Sequence, residues 1–158
     1  MDREAGFTWI EMMMVIGVLA VLALMAVPGA RDSALKKQVK DGLALADVAK
    51  QGVQVVWSLT HEMPADNKAA AVPDAQKIVG NVVKAVDVRD GAVTITFGNN
   101  ASKALEDKKL TLRPAVVPDE PAVPIAWLCN EAKAPQSMQV KGRNDTDVPS
   151  GWLPAECR

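Results

Sequence analysis

The sequence has no tyrosine, a single histidine at His61 and only two cysteines, Cys129 and Cys157. Each scarcity removes a class of chemistry. One histidine cannot build a metal-ligand cluster, and no glycine-rich loop is present to cradle a phosphate. His61 falls just past the end of a helical pattern, where it reads as a solvated or dipole-complementing residue rather than a catalyst. Asp87, Asp90, Asp119 and Glu120 stand near turn signals and are explained by turn chemistry. No enzyme, cofactor or metal site is expected. A formal charge of −1 gives no argument for nucleic acid or an acidic substrate as partner.

Charge is also missing locally. Residues Met12 to Ala30 are 19 consecutive uncharged, mostly apolar positions. At about 1.5 Å per helical residue the run approaches the roughly 30 Å hydrocarbon core of a bilayer. Secretory signals place basic residues first and a small-residue cleavage site last. Here Gly6 precedes the apolar run, and the only leader cation, Arg3, stands between Asp2 and Glu4. A cut after Gly6 therefore leaves the apolar segment on the mature chain. Glu11 stands at the head of this run, with apolar residues on both sides, and a carboxylate in hydrocarbon needs a partner. No residue from Phe7 to Ala30 carries a positive charge. A cut before Phe7 creates an amine, and the amine of a neighbouring copy would pin subunit register. The plainer alternative is a headgroup-level Glu on an ordinary anchor.

The rest of the chain reads as one amphipathic helix followed by strands. Leu35, Val39, Gly42, Ala46, Ala49, Val53 and Val56 recur at alternating steps of four and three, with a second row at Leu45, Val48, Gly52, Val55 and Leu59. That is a helix with a wide apolar sector, ending near Leu59. Pro28 is expected to kink or open it. Residues 60–80 carry Pro64 and Pro73 and read as a loop. Val86 and Val88, then Asp90-Gly91, then Val93, Ile95 and Phe97 spell a hairpin. Leu110 and Leu112 mark a third strand, and Ile125, Trp127 and Cys129 a fourth. The segment PAVVPDEPAVP between them is too proline-rich for a central strand.

GFTWIE with the apolar run and Pro28 resembles the N-terminus of type IV pilins and pseudopilins. The IAWLC strand and the terminal WLPAECR resemble the cysteine-bounded loop of type IVa pilins. The resemblance implies cleavage between Gly6 and Phe7 by prepilin peptidase, N-methylation of Phe7 and Glu11 as the assembly carboxylate. It implies an α+β pilin fold: leader 1–6, transmembrane and assembly half 7–30, amphipathic half 31–59 and head 60–158. Within the head it implies a sheet of about four antiparallel strands over 82–129 and a loop 129–157 closed by Cys129–Cys157. In an exported domain these cysteines are expected to pair; in a cytosolic one two free thiols remain open. The tail between them reads as a solvated surface.

The resemblance further implies a homopolymeric filament with the pilus assembly machinery as partner, serving adhesion, twitching motility or DNA uptake. The subunit would sit in inner-membrane lipid before assembly and outside a Gram-negative cell afterwards. Two other readings share the N-terminus. A type II secretion pseudopilin would typically lack the paired cysteines. A minor or competence pilin capturing DNA would need a basic patch. Lys103, Lys108, Lys109 and Arg113 form a modest cluster, which lysine protection of a sheet edge explains as well.

Overall fold

In a computed structural model, residues 8–157 are described, except that side chains at 25–30 lie outside the description. One helix, α1, runs from Trp9 to Thr60 over 52 residues. The chain divides into two units, Met1–Ala34 and Leu35–Arg158. The backbone is helical through position 28. The expected kink depends on the Pro28 ring, which lies outside the described side chains.

The second unit contains the core. Helical period 3.6 places Leu35, Val39, Gly42, Ala46, Ala49, Val53 and Trp57 on one buried face. The row departs from the sequence expectation at its last step, where Trp57 is buried and Val56 only half-buried. The larger indole fills the end of the core, so the step of four wins there. Gly42 is a contact point: a Cβ there would lie 2.7 Å from the Phe97 ring. The helix backbone therefore reaches the sheet at a residue without a side chain. Phe97 and Ile95 are fully buried, each contributing on the order of 1.5–3 kcal/mol of apolar burial.

The sheet is antiparallel, with β1 at Val83–Arg89, β2 at Ala92–Phe97, β3 at Lys109–Val116, β4 at Ala126–Cys129 and β5 at Gln139–Val140. Its main order is β1-β2-β3-β4, and β5 pairs with β3. The β1–β2 turn carries positive φ at both Asp90 (49°) and Gly91 (79°), the geometry of a primed hairpin turn.

Two expectations change here. First, Pro114 lies inside the central strand β3, which continues to Val116. Leu112 pairs with both Val93 and Cys129, and Ala115 with both Ala126 and Val140. β2 and β5 therefore occupy the same side of β3, and Pro114 falls between their ladders. Its missing N–H interrupts neither, and its carbonyl accepts from Lys141 N at 2.9 Å. Second, the tail is not uniformly solvated. β5 is exposed, but Val148 and Leu153 are buried. Residues 145–148 bond to the start of β3: Asp147 N donates to Lys109 O (3.0 Å), and Thr111 N donates to Thr146 Oγ1 (3.0 Å). The tail thus takes up β3 groups beyond the end of β4.

Candidate assembly site

The local start of α1 is made by Thr8 and Glu11. Thr8 stands one residue before the helix and Glu11 at its third position, the spacing of a capping box. The carboxylate Oε2 of Glu11 accepts from the backbone N–H of Thr8 and from its hydroxyl, both at 2.9 Å. Glu11 N donates back to Thr8 Oγ1 at 3.4 Å, and Met12 N to Thr8 O at 3.2 Å. Thr-x-x-Glu directly before an apolar run was the sequence signal for this contact. The expectation looked only for a positive partner, whereas two local neutral donors already serve the carboxylate. A negative group in the first turn also complements the helix dipole. Gly6 and Phe7 lie outside the described residues.

From Trp9 to Leu24 the helix is bare. Trp9 is 80% exposed and Leu24 77%, and every large apolar side chain between them is also exposed. These side chains point in all directions around the axis, so no one stripe is reserved for the chain's own core. A helix apolar all round requires an apolar environment or other helices. Among the described residues, no helix is long and apolar enough to cross a membrane. The described side chains of the apolar run stop at Leu24, short of the roughly 20 residues a span needs; the sequence continues it through 25–30.

Within the second unit, Cys129 and Cys157 form a disulfide, with Cα atoms 4.9 Å apart. It ties the last described residue to the end of β4, and both cysteines are buried. The chemistry expected of other residues is equally plain. His61 is an exposed residue with positive φ at the helix end, in ring contact with Trp57. The basic cluster is not a guarded edge, because Lys109 and Arg113 belong to the central strand β3. Arg113 is half-buried and donates to Asn130 O at 2.8 Å. No group of three or more potential metal ligands occurs among the described residues. A cleft of about 370 Å³ beside Trp57 and His61 is also lined by Asp119 and Lys141. Trp57 Nε1 has no partner, but it is enclosed and presents no donor to that cleft.

Comparison with known proteins covers nearly the whole chain. Residues 36–158 match the family described as Pilin (bacterial filament), and residues 1–27 match the prokaryotic N-terminal methylation motif. The type IV major pilin protein PilE of Neisseria gonorrhoeae is 32% identical, over 98% of this chain and 94% of its own length. A fimbrial protein of Neisseria meningitidis serogroup A is 29% identical over the same shares. Fimbrial protein EcpC of Eikenella corrodens is 32% identical over 70% of this chain and 74% of its own.

Proposed function

The chain belongs to the pilin family of bacterial filament proteins, and on that premise we propose how it is processed and assembled. It is a structural pilus subunit, not an enzyme. In this reading, prepilin peptidase cuts between Gly6 and Phe7 and the new Phe7 amine is methylated. The precursor waits in the inner membrane with positions 7–30 in lipid, and the assembled pilus is extracellular. The observation that carries the reading is the bare apolar surface from Trp9 to Leu24 beneath a capped carboxylate. Lipid satisfies that surface first, and the same segments of neighbouring copies satisfy it in the filament.

Glu11 has a defined part in this sequence of events. In lipid, the N–H and hydroxyl of Thr8 reduce the cost of holding its carboxylate away from water. On assembly, the amine of a neighbouring Phe7 becomes its partner. The charged pair then fixes the axial position of one helix against the next. Pro28 interrupts the backbone ladder of α1 and supplies a place for the helix to bend as copies pack. The exposed Val48, Val55 and Leu59 extend the helix surface available to neighbours. Such a filament suits surface adhesion, twitching motility or DNA uptake.

The test is intact mass spectrometry of filaments sheared from the source cells, with and without reduction. A dominant species beginning at methylated Phe7, two hydrogens lighter before reduction, is the expected result. A chain that retains residues 1–6 in the filament would refute the processing step. A processed chain confined to the membrane fraction and absent from the filaments would refute the role as filament subunit.

A further inference from the structure

The outer edge of β1 is seven residues long, and no strand lies beside it among the described residues. An open edge of that length invites a strand from a second molecule. In this fold the segment before β1 lies along it and Asn99 Nδ2 donates to Val83 O at 2.8 Å, while one side chain takes the pairing groups at its middle. Asn67 is 6% exposed, and its Nδ2 donates to Val86 O at 3.0 Å while its Oδ1 accepts from Val88 N at 2.7 Å. A carbonyl and an N–H on either side of one residue are the two groups that a parallel partner strand engages. The carboxamide therefore stands in for one residue of a neighbouring strand.

The loop around Asn67 holds it in that position. Nδ2 also donates to Pro73 O at 2.8 Å, and the Asn67 backbone carbonyl accepts from Val72 N at 3.0 Å. Pro64 O accepts from Gly91 N (2.9 Å) and Ala65 O from Asp90 N (3.3 Å), which carries the cover to the hairpin turn. At the other end of β1, Gly80 N donates to Val83 O at 3.0 Å. The loop is in turn set against α1, where a Cβ on Gly52 would lie 2.5 Å from Ala70 O and from Val72 Cγ1.

We propose that Asn67 is an edge guard, filling the strand-pairing surface of β1 that otherwise fits a strand of a second copy of this chain. The inference goes beyond the filament reading and does not require it, although crowded heads in a filament increase the need for such a guard. The residue type matters. Asp at this position would set a carboxylate against the carbonyls of Val86 and Pro73. Ala would leave the Val88 N–H and the Val86 carbonyl without their partner.

The experiment uses the full chain in detergent micelles, comparing wild type with Asn67→Ala and Asn67→Asp by amide hydrogen exchange and by particle size against concentration. Asn67→Ala should exchange the Val88 amide about tenfold faster or more, whereas Asn67→Asp keeps an acceptor for Val88 N and acts by repelling Val86 O and Pro73 O. Both should self-associate where wild type does not, with the β2–β3 ladder still protected. If Val88 is deprotected and the variant stays unassociated, the guard role is refuted. If Val88 exchange is unchanged in Asn67→Ala, Asn67 is not the plug. Should both variants fail to fold, wild type in urea below its unfolding transition decides the matter. Val88 exchange and association should then rise together, and association appearing only with global unfolding would overturn the proposal. None of these readouts depends on cleavage or filament formation.

Discussion

The two described stretches of α1 are both rich in apolar residues, yet they carry them differently. Over positions 35–57 a row spaced by threes and fours is buried, and Gly42 and Gly52 are placed where another part of the chain comes close. Over positions 9–24 every large apolar side chain is exposed, and nothing lies within 4 Å of where a Gly17 side chain would project. A one-sided pattern with notches is specified by a partner inside the same chain. An all-round pattern without notches is specified by a medium or by other chains. Apolar content alone does not separate these cases; the distribution around the axis does.

That contrast can be broken from either side. The largest expected effect is on assembly. Glu11→Val should abolish most filament formation when it is the sole pilin, while the head melts as in wild type. Normal filament yield from that variant would remove the register role of Glu11. Inside the head, replacing both Cys129 and Cys157 with Ser should cost about 3–4 kcal/mol by the chain-entropy account of a cross-link, measured by urea unfolding. Next comes Gly52→Ala. A methyl group 2.5 Å from the Ala70 carbonyl cannot be accommodated without moving backbone, so a loss of about 2–3 kcal/mol is expected. Gly17→Ala is its control in the other half, where open space and helix propensity predict no loss and a gain of up to about 1 kcal/mol. If the two glycine variants had equal effects, the distinction between the halves would fail.

The smallest effect concerns the surface ion pair of Lys84 with Asp107, 2.9 Å apart. The hydrogen bond to Asp107, then its charge, raise the Lys84 pKa above the ordinary lysine value. A raised folded-state pKa means that any stabilisation is present at neutral pH and is lost as pH rises through the folded value. Both groups are well exposed, so Lys84→Met should leave the melting temperature essentially unchanged at pH 7. A clear drop would show the pair to be better shielded than its exposure implies.

Most of the architecture was legible in the sequence because it rests on local periodicity. The helical row, the Asp90-Gly91 hairpin and the alternating Leu110 and Leu112 each declare themselves within a few residues. What escaped is non-local. β5 spans two exposed residues and exists only because Ala115 and Val116 offer it a partner. Pro114 is tolerated in a central strand because two different neighbours share one side of it. Asn67 reads as an ordinary loop polar residue until β1 lies beside it. The candidate site divides similarly: Glu11 stood out as a lone charge, and Thr8 was recoverable from the capping-box spacing. Trp57 replacing Val56 in the buried row reflects side-chain volume, which spacing alone does not report.

The bare half of α1 also sets the conditions under which a filament comes apart. Moving a subunit from neighbouring helices into lipid exchanges one apolar environment for another and gains or loses little hydrophobic free energy. Moving it into water exposes the side chains from Trp9 to Leu24, at about 25 cal/mol for every Å² wetted. Dilution alone should therefore leave filaments intact. Detergent, which supplies the missing apolar environment, should dissolve them into subunits with folded heads.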